Sequence, residues 1–508
     1  MLTLCGLYVA QGIPWGFVTV TFAAWLAQPK NGITTEQLGP ILAVASLPWS
    51  FKFLWGPLMD RFTLPSLGRR RPWIIFAQSM AILVLGSMIL LPDLPGMVWT
   101  TAPEHGRLLR TAYQLVPGPL AALILLANIF VSMQDVAVDA LAVDLLKEEE
   151  RGVANGLMYG SSYFGTAIGG AGLGYIVATF GIQAGLLGQA LLLSLIMLLP
   201  VFFRERPAMP SGQAGAGVLR GRPGSASHSA IDFGENPVLP ASLVASPYSP
   251  PGGDTIGAGP NGSEPTGMGT TDSTTDSSTD ATLKNDAASD TDSVLANLYR
   301  AFSLRATLLG AVVAVTVKVG IGVLTAVLVD YLMKDGGWTQ QEYTSVTGGW
   351  AVMLGLCGSA LGGYVADLVG PKPVIFTLSV LLGLLWVCFG LAPDSLTSRP
   401  LMTSLLLGQE FLLAVLSVSL FSLFMGISWP RVAATQFTTY MALMNLSTTI
   451  GSYTAGRLSQ WLSIDQILVV AGILQAVLVI PVLFIDPHQT RRILDNGSTS
   501  GRSAAKSA

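Results

Sequence analysis

The sequence predicts an all-α membrane protein: twelve transmembrane helices in two six-helix bundles, with a long disordered linker between them. Three observations carry that reading. Of the 508 residues, 51% are hydrophobic and only 11% charged, with a mean hydropathy of +0.57, whereas in soluble proteins about a quarter of residues are charged. Apolar runs of about 20 residues, enough to cross roughly 30 Å of hydrocarbon as a helix, recur along almost the whole chain. Midway the composition changes completely and divides the runs six and six.

The first six runs place helices near 3–27, 36–59, 72–92, 117–145, 152–178 and 183–203, an amino-terminal bundle over 1–203. The first begins almost at Met1, which leaves room for an upstream start. Lys30 is the first basic residue, so no charged n-region marks a signal peptide and the run reads as a retained helix. Residues 204–300 are rich in Gly, Pro and Ser, then in Asp, Ser and Thr (TTDSTTDSSTDATLKNDAASDTDS). Such a segment buries too little apolar surface to fold, and is expected to be a solvated cytoplasmic spacer. Six more helices follow near 303–331, 343–367, 372–392, 401–428, 432–460 and 464–486. They form a second bundle over 301–487, with a cytoplasmic tail over 488–508 and no helix expected after the twelfth.

Basic residues concentrate in alternate loops: Arg61, Arg69, Arg70 and Arg71 after helix 2, Lys147 and Arg151 after helix 4, Lys372 after helix 8 and Arg431 after helix 10. The other loops offer only Lys30, Arg107, Arg110, Lys334 and Arg399. By the positive-inside rule both termini and the linker are cytoplasmic. Cys5, Cys357 and Cys388 lie in apolar runs without CxxC spacing, and His105, His228 and His488 fall outside the helices. Neither a metal site, a catalytic constellation nor a phosphate loop is supported, so neither an enzyme nor a cofactor is expected, and no nucleic-acid partner.

The loop after helix 2 reads Gly56-Pro-Leu-Met-Asp60-Arg61 and then, after an insertion of five residues, Gly68-Arg69-Arg70-Arg71. The loop after helix 8 answers it with Gly363-Tyr-Val-Ala-Asp367-Leu-Val-Gly370-Pro-Lys372. Glycines let helix ends approach closely, and the acid can cap a neighbouring helix or pair with the bases, in contacts able to break and reform as two bundles rock. This repeat resembles the signature loop of the major facilitator superfamily and implies its fold. Further strings are Tyr8-Val-Ala-Gln11-Gly12-Ile-Pro14-Trp-Gly16-Phe17, Leu47-Pro48-Trp-Ser-Phe-Lys52-Phe-Leu-Trp55, Gln134-Asp135-Val-Ala-Val-Asp139-Ala and Ala434-Thr435-Gln436-Phe437, with Lys318 in helix 7 and Glu410 in helix 10. Together they resemble the muropeptide permease (AmpG-type) branch, which is related to the acetyl-coenzyme A transporters. That resemblance implies a bacterial inner-membrane protein importing cell-wall sugar-peptide fragments with protons, in peptidoglycan recycling. Two departures bear on the substrate: the acid that often follows the helix 7 lysine is replaced by Val319-Gly320-Ile321, and the long acidic linker is unusual.

A charge amid a membrane helix costs roughly 2.5–3.5 kcal/mol on insertion scales, so each one needs a partner, a wet cavity or a role. Asp135 and Asp139 stand four apart on helix 4, hence on one face, with Gln134 beside them. Asp135, the deeper, is the first candidate for proton coupling, with Asp139 second; the competing reading makes either a structural partner of Lys52 or Lys318. Lys52 either faces the cavity or snorkels to the surface. Lys318, mid-way along helix 7, suits an anionic substrate group or a paired acid. Glu410 reads as standing near the outer start of helix 10, in a site or at the interface. Tyr8, Gln11, Tyr163 and Gln436 suit a sugar-bearing ligand, since rings stack on sugar faces and amides bond hydroxyls; packing is the alternative for each. The expected partners are a small solute, protons and lipid, with the protein a monomer. The favoured function is alternating access coupled to protons, with a muropeptide first and acetyl-coenzyme A second as substrate; a non-transporting assembly factor is the reading from another class.

Overall fold

The computed structural model describes residues 1–62, 68–99, 116–146, 151–202, 296–297, 299–429 and 432–494. Almost all of the expected linker, and the loop bases Lys147, Arg107, Arg110 and Arg431, lie outside the described residues.

The first bundle comprises α1 (Leu2–Leu26), α2 (Thr35–Met59), α3 (Arg71–Ile89), α4 (Pro119–Ala142), α5 (Gly156–Phe180) and α6 (Ile182–Phe202). The second comprises α7 (Arg305–Lys334), α8 (Gln340–Val369), α9 (Pro371–Leu391), α10 (Arg399–Ile427), α11 (Ala433–Leu458) and α12 (Ile464–Phe484). Among the described residues, eleven helices are long and apolar enough to cross a membrane. The exception is α11: its 26 residues suffice for length, but Thr, Ser and Asn interrupt its apolar character throughout. Its polar face is held inside the protein, packed on α2 and α7. Start signals are local: Thr34 with Gln37, Thr339 with Glu342 and Ser463 with Gln466 form capping boxes that open α2, α8 and α12.

Both lysines of interest sit where a helix breaks. Pro48 has no N–H to donate, and α2 loses its α-helical path at Phe51 (φ −116°, ψ 11°), turning through a 3₁₀ segment, Lys52–Leu54. In α7 the α-helix stops at Thr316 and restarts at Val319, leaving Lys318 at φ −108°, ψ 7°. Its backbone N–H donates to Ser447 Oγ of α11 at 2.9 Å, so the freed donor is satisfied across the bundle. Three π-helical segments, Phe17–Phe22 in α1, Ile168–Gly172 in α5 and Val346–Trp350 in α8, meet one another. Thr21 Oγ1 donates to the carbonyls of Gly169 and Gly170 at 2.8 and 2.7 Å, which accounts for acceptors the widened turn leaves over.

The halves are joined at one end and parted at the other. One buried apolar cluster takes residues from both halves, from Phe22 and Leu38 to Val327 and Tyr343. Towards the end bearing the repeated loops the core splits in two, one cluster around Leu7, Met59 and Leu141, the other around Val313, Phe424 and Tyr440. Glycines report the same geometry. A Cβ on Gly39 would stand 2.4 Å from Ser452 O, and one on Gly170 2.7 Å from Gly348 Cα, so opposite halves touch backbone to backbone at the closed end. A cleft therefore opens between the bundles on the repeated-loop side.

Candidate functional site

The break in α2 brings Lys52 to face α4. Its Nζ lies 3.1 Å from Asp135 Oδ2, with side chains 16% and 11% exposed. One turn on, Asp139 Oδ1 accepts a hydrogen bond of 2.5 Å from the Tyr8 hydroxyl of α1. Lys52 is thus engaged with α4, and the structural pairing foreseen for an aspartate falls on Asp135. Among the described residues Asp139 has a neutral donor and no cation of its own in an ion pair. Tyr159 of α5, which the sequence reading passed over, stands within electrostatic reach of Lys52, Asp135 and Asp139.

The other bundle carries two ionisable groups within its own helices, Lys318 and Glu410. Lys318 and Glu410 are mutual electrostatic partners, yet among the described residues the Lys318 ammonium makes no ion pair. Glu410 is not near the start of its helix, as expected from sequence; it lies about 17 Å from the first residue of α10 at 1.5 Å per residue, half-buried. Gly355 of α8 makes room for it: a Cβ there would stand 3.4 Å from both Glu410 Oε1 and Tyr163 Cε1. Tyr163 hydroxyl and Ser359 Oγ, 3.2 Å apart, join α5 to α8 across the cleft.

Other candidates are engaged elsewhere. Gln134, 1% exposed, donates at 3.3 Å to Gln78 Oε1, and Gln78 donates at 2.7 Å to Leu193 O, so this amide pair ties α4, α3 and α6 together. Gln436 is fully buried, accepting from the Trp429 N–H at 2.9 Å and donating to Thr307 Oγ1 at 3.1 Å. Both amides are spent on bonds between chain segments, the packing alternative left open for Gln436 and a different use from the one expected of Gln134: adjacency in sequence to Asp135 does not set the face. Gln11 is 4% exposed, and its Nε2 has no hydrogen-bond partner among the described residues.

Bases of the repeated loops hold helix ends. Arg70 Nε donates to Asp144 Oδ2 at 3.3 Å. Arg71 donates to the carbonyls of Pro200 and Val201 at the end of α6. In the second half Lys372 Nζ donates to Leu483 O and Ile485 O at the end of α12, at 3.2 and 2.6 Å. A cation on the last carbonyls of a helix also opposes its dipole. Asp367 is exposed, with no ion pair among the described residues, so the expected acid–base pairing is absent from that repeat. The Asp60 side chain lies outside the described residues, Arg61 is exposed, and Arg69 has a partner. Gly68 and Gly370 are required by backbone geometry, at φ 99° and 91°, a region that disfavours a Cβ. Close approach, the role expected of the motif glycines, does not describe Gly56 or Gly370; at α8 it is Gly362, beside the half-buried Gly363, that packs on the Val415 backbone.

A family model described as acetyl-coenzyme A transporter 1 matches residues 1–180. The anhydromuropeptide permease of Escherichia coli K12 is 32% identical over 143 residues, 28% of this chain and 24% of that one. A Rickettsia conorii protein bearing the transporter name AmpG 4 is 29% identical over 176 residues, 34% of this chain and 37% of that one. The matched segment thus spans about a quarter to somewhat over a third of these relatives. In fold, a D-xylose-proton symporter aligns with TM-score 0.62 at 12% identity, covering 96% of this chain and 98% of that one. A nucleoside transporter aligns with TM-score 0.54 at 12% identity, covering 95% and 99%. The fold is thus shared with transporters whose sequences have diverged, and the chain is an integral, multi-pass membrane protein. The family model and these two relatives each match about a third of this chain or less, and the two solved structures resemble it in fold.

Proposed function

We propose that this protein is a proton-coupled solute importer working by alternating access, with a cell-wall muropeptide as substrate. The observation that carries the proposal is the Lys52–Asp135 pair beside Asp139, set in a cleft between two bundles that share a core at one end only. Ionisable groups at membrane depth mark solute and proton pathways, and midplane sites at broken helices are a transporter feature. Lys52 neutralises Asp135. Asp139 is the carboxylate whose charge a proton can cancel, which moves the coupling role from Asp135 to Asp139. Lys318, without an ion pair among the described residues, attracts an anionic group of the solute. In this reading the open end, which bears the basic loops, faces the cytoplasm together with both termini, and the membrane is a bacterial inner membrane.

Acetyl-coenzyme A is the second reading, favoured by the family model that matches the first 180 residues; it too is anionic and suits Lys318. The deciding experiment is uptake into proteoliposomes under an imposed pH gradient, offering labelled anhydro-muropeptide and acetyl-coenzyme A separately, with Lys318→Ala as control. Muropeptide accumulation lost in the variant is the expected result. Entry of acetyl-coenzyme A alone reassigns the substrate, and entry of neither by folded protein leaves the likeness to the fold only.

A further inference from the structure

One polar side chain stands between the two charged clusters and bonds to neither. Tyr159 lies one helical turn before Tyr163 on α5, so the rings share a face. It is within electrostatic reach of Lys52, Asp135 and Asp139 on one side and of Tyr163 on the other. Tyr163 in turn meets Ser359 and stands near Glu410 of the second half. Tyr159 is nevertheless 53% exposed, and positions 156 and 160 beside it look onto open space. Among the described residues its hydroxyl forms no hydrogen bond. A phenol set among charged groups takes a partner, and here that partner must come from the cleft.

We propose that Tyr159 is a substrate-contact residue and the point at which bound solute and the acid pair sense each other. Its ring offers a flat apolar face and its hydroxyl one donor and acceptor, a combination that fits a hydroxyl- or amide-bearing ring such as a sugar. A solute seated on that ring displaces water beside Asp139 and takes up the phenol hydroxyl, so occupancy alters the surroundings in which Asp139 gains or loses its proton. The inference rests on the transporter reading above and names a further residue of that same site.

The test uses the full chain in proteoliposomes, with labelled anhydro-muropeptide outside and a pH-sensitive dye inside. Tyr159→Phe keeps the ring and its volume and removes only the hydroxyl; Tyr159→Leu removes the face as well. In Tyr159→Phe we expect the half-saturating concentration to rise about five- to tenfold, the scale of one lost hydrogen bond, and the pH profile of uptake to shift. Tyr159→Leu is expected to be weaker still. A Tyr159→Phe variant with wild-type half-saturation and pH profile overturns this inference and leaves the transporter reading standing. A wild type that moves neither solute nor protons overturns both.

Discussion

At the scale of the residue, the Lys52–Asp135 pair and the two buried amides make opposite predictions. Removing one member of a buried ion pair strands the other charge, at about 3–5 kcal/mol; with side chains 16% and 11% exposed, the lower end of that range is expected. Lys52→Met should lower the thermal unfolding midpoint in detergent, and adding Asp135→Asn should recover most of the loss. A double variant no more stable than the single one would show that Lys52 serves something other than Asp135. Gln436→Ala removes the acceptor of a buried Trp429 N–H and the donor to Thr307. It should cost about 1–3 kcal/mol of stability while leaving the half-saturating solute concentration unchanged, and a selective loss of solute affinity would return Gln436 to the site.

At the scale of the element, the closed end carries a latch. Lys334 Nζ lies 2.6 Å from Asp330 Oδ1 and donates at 2.7 Å to Ile33 O, while Thr35 Oγ1 donates to Asp330 Oδ2 at 2.5 Å. The end of α7 thereby grips the start of α2, and Gln28 bonds Gln340 alongside at 2.7 Å. Asp330→Ala should let this end open more often. Ser46→Cys, on the α2 face shared with Gly39 and 5% exposed when closed, should then react with a thiol reagent several-fold faster in protein stripped of its native cysteines. Unchanged labelling would mean that the apolar contact, and not this latch, keeps the end shut. Neither grip was visible beforehand, because it joins residues some 300 positions apart. The helices were legible, since each is decided by its own stretch of apolar sequence and its caps. The break before Lys52 had a local signal in Pro48, whereas the break at Lys318 has no proline near it, and there the freed backbone N–H is taken up by the Ser447 hydroxyl. Asp135 and Asp139 announced themselves by rarity and spacing. Gln134 and Gln436 misled because amides serve packing and binding equally well, and only tertiary partners decide. Tyr159 was within reach of the same i, i+4 argument through Tyr163.

At the scale of the whole molecule, a common core at one end and two separate cores at the other define a single open side. That side carries the basic loops, and on the orientation proposed above it faces the cytoplasm, which makes a directional prediction. A cysteine at Gly160, where a Cβ meets nothing within 4 Å, should react with a membrane-impermeant thiol reagent in inside-out vesicles and resist it in right-side-out ones. Adding solute should slow the reaction, because binding and rocking bring α5 towards the second bundle. Reaction from the outer side alone would reverse the assigned topology. Equal reaction from both sides would mean that the open-cleft and outward-opened states are comparably populated, and the latch at Asp330 would then be the first contact to re-examine.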